Sequence, residues 1–146
     1  MSEPELYRRE WLVGPEDIDP LGHASNIAFV RWIQDVALAH SASVGFDFEA
    51  YHRLGAIFVV VRHEVDYLRP AMLGDLVEAK TWISAVMAAK CQRSTNLSRK
   101  SDGKPLARAV TTWAFIELAT GRPRRIDKQL KIAFAPFTQA PEAARP

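Results

Sequence analysis

The sequence predicts an α+β domain in which one long apolar helix is followed by an antiparallel run of strands. Three observations carry that reading. From Asn26 to about Ser43 only Arg31, Gln34, Asp35 and His40 are strongly polar, and a helix this apolar needs cover on most sides. From Ile57 the hydrophobic period shortens to two. Further strand-like segments then follow in close succession, two of them joined by Ser101-Asp102-Gly103-Lys104, a hairpin turn signal. Long antiparallel strands expose a wide apolar face, and the helix from Asn26 is the only segment long enough to cover it.

Each element has its own signal. Tyr7 to Val13 reads as a short strand ended by Gly14-Pro15. An acidic turn follows, and Ser25 is placed to N-cap the long helix. Within that helix Arg31, Gln34 and Asp35 share one stripe by three- and four-residue spacing. Gly45 fits its C-terminal stop, and Phe48 to Leu54 reads as a short second helix before Gly55. In the strand from Ile57, strict alternation puts Val59, Val61, His63, Val65 and Tyr67 on one face and Val60, Arg62, Glu64, Asp66 and Leu68 on the other. Pro70 and Gly74-Asp75 break the run. Leu76 to Val86, Lys90 to Arg99 and Pro105 to Leu118 are the remaining strands. The basic turn Arg122-Pro123-Arg124-Arg125 leads to a weak segment through Phe134, and the proline-bearing tail 136–146 is expected to be disordered.

Composition bounds the function. A chain of 146 residues, 48% hydrophobic and 25% charged, suits one domain, here spanning 1–135, with a closed core. One cysteine, Cys91, excludes an internal disulfide framework; it lies in a strand without an obvious basic partner and reads as packing. No apolar run approaches 20 residues and no basic-then-apolar leader is present, so a cytoplasmic protein without a membrane partner is expected. A net charge of +2 argues against nucleic acid. Lys90, Arg93, Arg99, Lys100 and Lys104 fall close together, either as an anion site or as a solvated hairpin. No His-Glu-x-x-His, Cys-x-x-Cys or glycine-rich phosphate loop occurs, so neither a metal nor a cofactor is expected.

The chemistry gathers at Glu16 to Asn26, where an acidic turn runs straight into a helix N-terminus. An Asp with an ordinary pKa of about 3.9 is ionised at neutral pH and can attack a carbonyl or activate water. The first N–H groups of a helix lack internal partners and sit at its positive end, so Asn26 or a neighbour can receive developing negative charge. His23 and Ser25 flank the pair and can orient Asp19 or substrate. In the plainer alternative Asp19 bonds turn N–H groups and Ser25 only caps. Asp17 suits a turn or structural role. His40, His52 and His63 have weaker claims to chemistry.

Asp19-Pro20-Leu21-Gly22-His23, then Asn26, Phe29 and Trp32, resembles the opening of the hot-dog-fold acyl-CoA thioesterases of the hydroxybenzoyl-CoA thioesterase type. Tyr67-Leu68-Arg69-Pro70 followed by Gly74-Asp75 resembles their second signature, and the similarity spans roughly Leu6 to Phe134. The resemblance implies a central helix wrapped by a curved sheet, subunits paired at sheet edges as dimers or tetramers, and active sites at the dimer interface. It carries the catalytic carboxylate onto Asp19, with Asn26 polarising the carbonyl. It maps the acyl wall, contributed by the partner subunit, onto Phe58 to Val61, with Val59, Val60 and Val61 lining substrate beside His23 and Ser25. Coenzyme A phosphates then fall to Lys90 and Arg93, with Arg62 behind them. The chain departs from some relatives in carrying Met87-Ala88-Ala89, not consecutive basic residues, before Lys90. The implied reaction is hydrolysis of an acyl-CoA to a free acid and coenzyme A. Two other classes stay open: a hot-dog dehydratase or hydratase on acyl thioesters, for which no convincing His-containing loop is present, and a non-catalytic acyl-CoA-binding module.

Overall fold

The computed structural model describes residues 3–139. In order along the chain are strand β1 (Tyr7–Leu12), a 3-10 turn at Pro15–Asp17, helix α1 (Asn26–Ser43), helix α2 (Phe48–Leu54), strands β2 (Ala56–Tyr67), β3 (Leu76–Val86), β4 (Lys90–Arg99) and β5 (Pro105–Glu117), helix α3 (Lys128–Phe134) and a second 3-10 turn at Ala135–Phe137. The five strands form one antiparallel sheet in the order β1-β3-β4-β5-β2. The fold class is α+β, as the pattern of one apolar helix and a meander requires.

Helix α1 begins where Ser25 Oγ accepts the Ala28 N–H at 3.1 Å. It stops at Gly45, whose φ of +97° only glycine adopts without strain. Its apolar side packs on the inner sheet face in the first of two neighbouring clusters. One joins Phe29, Trp32, Ile33 and Val36 to Val77, Leu97 and Leu106; the other joins Tyr51, Phe115, Leu130 and Phe134. Burial alternates along β3 and β4, with Val77, Ala79, Thr81 and Ile83 inward and Cys91, Arg93, Thr95 and Leu97 inward.

Two expectations need correction. Strict alternation in β2 fails at Val61, where a bulge separates Val60, paired with Trp113, from Arg62, paired with Thr112. An extra residue flips the side-chain phase. Phe58 and Val60 therefore share the inner face with His63 and Val65, while Val59 and Arg62 lie on the outer face and Val61 is exposed. The tail also departs from the expected disorder over 136–139. Pro136 accepts the Glu5 N–H at 2.9 Å, Thr138 bridges Ile83, Gln139 N–H bonds Ile83 at 2.8 Å, and the Phe137 ring meets His40 at 4.4 Å. Proline stops α3, but the aromatic behind it still has apolar surface to bury. Residues 140–146 lie outside the described residues.

Candidate functional site

Residues 17–25 fold into a small hairpin ahead of α1. Ile18 and Ala24 bridge, Asp19 N–H bonds His23 O at 2.9 Å, Gly22 N–H bonds Asp19 O at 2.9 Å, and Ser25 N–H bonds Asp17 O at 2.9 Å. Gly22 turns the tip with φ +88°. This closure sets Asp19 across from His23, whose Nδ1 lies 3.9 Å from Asp19 Oδ1. Asp19 Oδ1 also accepts the Leu21 N–H at 2.9 Å, the turn bond of the plainer alternative. The side chain remains 24% exposed, so it is sheltered yet reachable.

Three contacts hold the hairpin in place. Asp17 is buried, accepts the Gly14 N–H on Oδ2 at 3.0 Å and is ion-paired on Oδ1 with Arg31, one turn into α1. The structural role expected for Asp17 is what this geometry shows. Ala24 N–H bonds Ala71 O at 2.8 Å, which joins the first sequence signature to the second. Asp75, in that second signature, accepts from Met72 N–H and Arg99 and gives its carbonyl to Val13 N–H.

At the start of α1, Ser25 takes the N–H groups of Ala28 and Phe29, and those of Asn26 and Ile27 have no partner among the described residues. They are the free donors of a helix N-terminus. Along the adjoining helix face runs a cleft of about 480 Å³ lined by Asn26, Ile27, Val30, Arg31, Gln34, Asp35 and Tyr67. The stripe of Arg31, Gln34 and Asp35 was legible from spacing, but Tyr67, at the end of β2, was not. Asp19 itself lines neither this cleft nor the larger cavity farther along the helix.

The remaining site residues are dispersed. Lys90 and Arg62 lie on the outer sheet face, on neighbouring rungs through Ala114 and Thr112, and Arg62 Nε is 3.2 Å from Glu64 Oε1. Val59 shares that face, Val60 faces inward beside Trp113, and Val61 is in the bulge. Arg93 is not at the surface mouth where the sequence reading put it. It is 5% exposed on the inner face, in the same phase as Cys91 and Leu97, because alternation within β4 turns it into the core. Arg99 and Lys100 are engaged with Asp75, Asp102, Glu10 and Glu78, so among the described residues the hairpin's basic side chains do not form a free cluster. Cys91 is buried and its thiol is pushed up to about 11 by burial, in keeping with packing. His40 is fully buried, and burial, then the Arg93 charge, lower it to about 3. His63 Nδ1 bonds Thr111 Oγ1 at 2.9 Å. Among the described residues no three His, Cys, Asp or Glu side chains gather as a metal site, and no helix is long and apolar enough to cross a membrane.

Comparison with known proteins agrees with this architecture. Residues 13–134 match the model of the thioesterase-like superfamily. A chloroplastic palmitoyl-acyl carrier protein thioesterase of Gossypium hirsutum is 28% identical over 120 residues, which cover 78% of this chain but only 29% of that protein. A 1,4-dihydroxy-2-naphthoyl-CoA thioesterase of Synechocystis superposes with a TM-score of 0.82 at 19% identity, over 90% of this chain and 96% of the other. A Staphylococcus aureus protein solved in complex with CoA gives 0.87 at 18%, over 100% and 92%. By these matches and by its helix against a single antiparallel sheet, the chain belongs to the thioesterase-like superfamily and has the hot-dog fold.

Proposed function

We propose that the chain hydrolyses an acyl-CoA thioester to a carboxylic acid and coenzyme A, with Asp19 as nucleophile or general base. One observation carries the reading: the hairpin sets the Asp19 carboxylate beside His23, immediately ahead of a helix whose Asn26 and Ile27 N–H groups are free. A thioester carbonyl directed at those donors gains a place for the charge that develops on its oxygen, an effect of about 3 kcal/mol per donor in other enzymes. Asp19 then draws a proton from water, or attacks the carbonyl carbon to give an anhydride that water opens. Either route releases acid and thiol with no resident cofactor.

The site is completed in this reading by a second copy of the chain. Strand β2 is a sheet edge with one free side, Ile27 is 78% exposed at the cleft, and Tyr67 at the end of β2 is 44% exposed. Pairing β2 edges covers this apolar surface and brings the β2 segment that carries Val59, Val60 and Val61 against the partner's acyl group, as a dimer or a pair of dimers. Lys90 and Arg62, on one outer face, are suited to the nucleotide phosphates. The coenzyme A in the Staphylococcus aureus structure supports that carrier, and the Gossypium hirsutum relative makes acyl carrier protein the alternative to test.

Release of free thiol from short, long and aromatic acyl-CoA esters, and from an acyl carrier protein thioester, tests the proposal. Turnover by the native chain with loss in Asp19→Asn supports it. Equal rates in the two overturn the role of Asp19, and no release from any ester overturns the reaction.

A further inference from the structure

A second cavity, of about 630 Å³, opens beside the far half of α1. That volume is within the ordinary range of small-molecule sites, roughly 300–1,000 Å³. Its α1 wall runs from Ala37 to Ala42, eleven residues or more beyond Asn26 and therefore about 16 Å or more along the helix. It shares no lining residue with the cleft at the helix start. The walls are aromatic, with Phe46, Phe48, Tyr51, Phe58, Trp113 and Phe134 among them.

Into this apolar surrounding the fold brings one buried cation, Arg93, besides the exposed Lys131 on the same wall. Arg93 Nη1 donates to His40 Nδ1 at 2.9 Å and to Thr81 Oγ1 at 3.1 Å, while its Nη2 and Nε donors have no partner among the described residues. A guanidinium offers five N–H donors, so three are unspent. No carboxylate pairs with it among the described residues; Asp47, the acidic residue on the cavity wall, caps α2 through Ala50 N–H. The Phe134 ring, 5.9 Å away, offers only a partial counterweight. Burial lowers Arg93 to about 10, which leaves it charged at neutral pH. Trp113, on the same wall, has a buried indole N–H without an acceptor. A buried cation without a counter-ion is costly, and an anionic head on its spare donors offsets that cost.

We propose that this cavity binds an apolar monocarboxylic acid, its carboxylate on the free donors of Arg93 and its body among the aromatic side chains. Such a molecule is of the same class as the acid a thioesterase releases, but the proposal does not depend on catalysis and is read by binding alone. Charge complementarity selects the occupant: a neutral chain of equal length leaves Arg93 unpaired, and a phosphate ester with a bulky polar body does not suit aromatic walls.

Calorimetric titration with decanoate and with 1-decanol decides the matter. Decanoate is expected to bind one per chain, at least about tenfold tighter than decanol, the advantage of a charge-assisted pair. Arg93→Met should bring the two ligands together. Should that variant not fold, Ala42→Trp at an exposed position of the cavity wall should weaken decanoate at least about tenfold with the fold unchanged, and Asp19→Asn should bind decanoate as the native chain does. Decanoate that does not bind, that binds no better than decanol, or that is indifferent to Ala42→Trp overturns the proposal. Weakening by Asp19→Asn instead assigns the acid to the helix-start site and overturns it equally. Absence of thiol release with decanoate binding intact rejects the hydrolase and leaves this site standing.

Discussion

Arg31 on α1 is ion-paired with Asp17, a carboxylate only 3% exposed that also holds the Gly14 N–H. The pair fastens the Asp19 hairpin to the helix whose free N–H groups it adjoins. Asp17→Ala removes the acceptor of two donors at once. Destabilisation of about 2 kcal/mol is expected, visible as a lower urea midpoint, together with a fall in any thioesterase rate because the hairpin loses its anchor. Arg31→Ala should also destabilise, since it leaves the buried Asp17 carboxylate without its cation, whereas Asp17→Ala strands the Gly14 N–H.

Asp19→Asn isolates the charge. Asparagine keeps an oxygen to accept the Leu21 N–H, so melting temperature should stay within a degree or two, while thiol release should fall on the order of a hundredfold or more. A large drop in melting temperature would point instead to the turn-forming role.

Strand β2 offers a test of assembly. Val61→Lys places a charge at the bulge on the free edge, and sedimentation should change from an oligomer toward a monomer. Thiol release should fall with it, because the proposed acyl wall comes from the partner.

His40 gives a pH signature. It is boxed by the Tyr7 ring at 4.8 Å, Phe134 and Phe137, with Arg93 the cation that faces it from β4. Its folded pKa of about 3 lies below the ordinary 6.5, so the unfolded chain binds the proton first. Stability therefore declines as pH falls below about 6.5 and continues to decline toward 3. Urea midpoints at pH 7 and pH 4.5 should separate, and His40→Gln should narrow the gap.

Cys91 should resist alkylation in the native state at pH 8, because the thiol is buried and its pKa lies near 11. Denaturation should expose it to prompt labelling with the same reagent.

Much of this was legible in the residues. Ser25 with an apolar run marked α1 from Asn26 to Ser43, and Asp102-Gly103 marked the β4–β5 turn, because capping and turn chemistry act over a few residues. The phase of β2 was not legible past Val61, since a bulge is fixed by the neighbouring strand and not by local pattern. Arg93 was misplaced for a related reason. Its charge suggested the surface, while its alternation with Cys91 and Leu97 pointed inward, and tertiary packing followed the alternation. The pairing of Asp17 with Arg31 spans fourteen residues and needs the folded hairpin to be seen.

One rod thus carries two differently furnished ends. The hairpin grips the first turns of α1 and the aromatic chamber surrounds its last, with separate packing clusters beneath them. Evolution, or an engineer, can then retailor the chamber for another guest without disturbing the acid at the opposite tip.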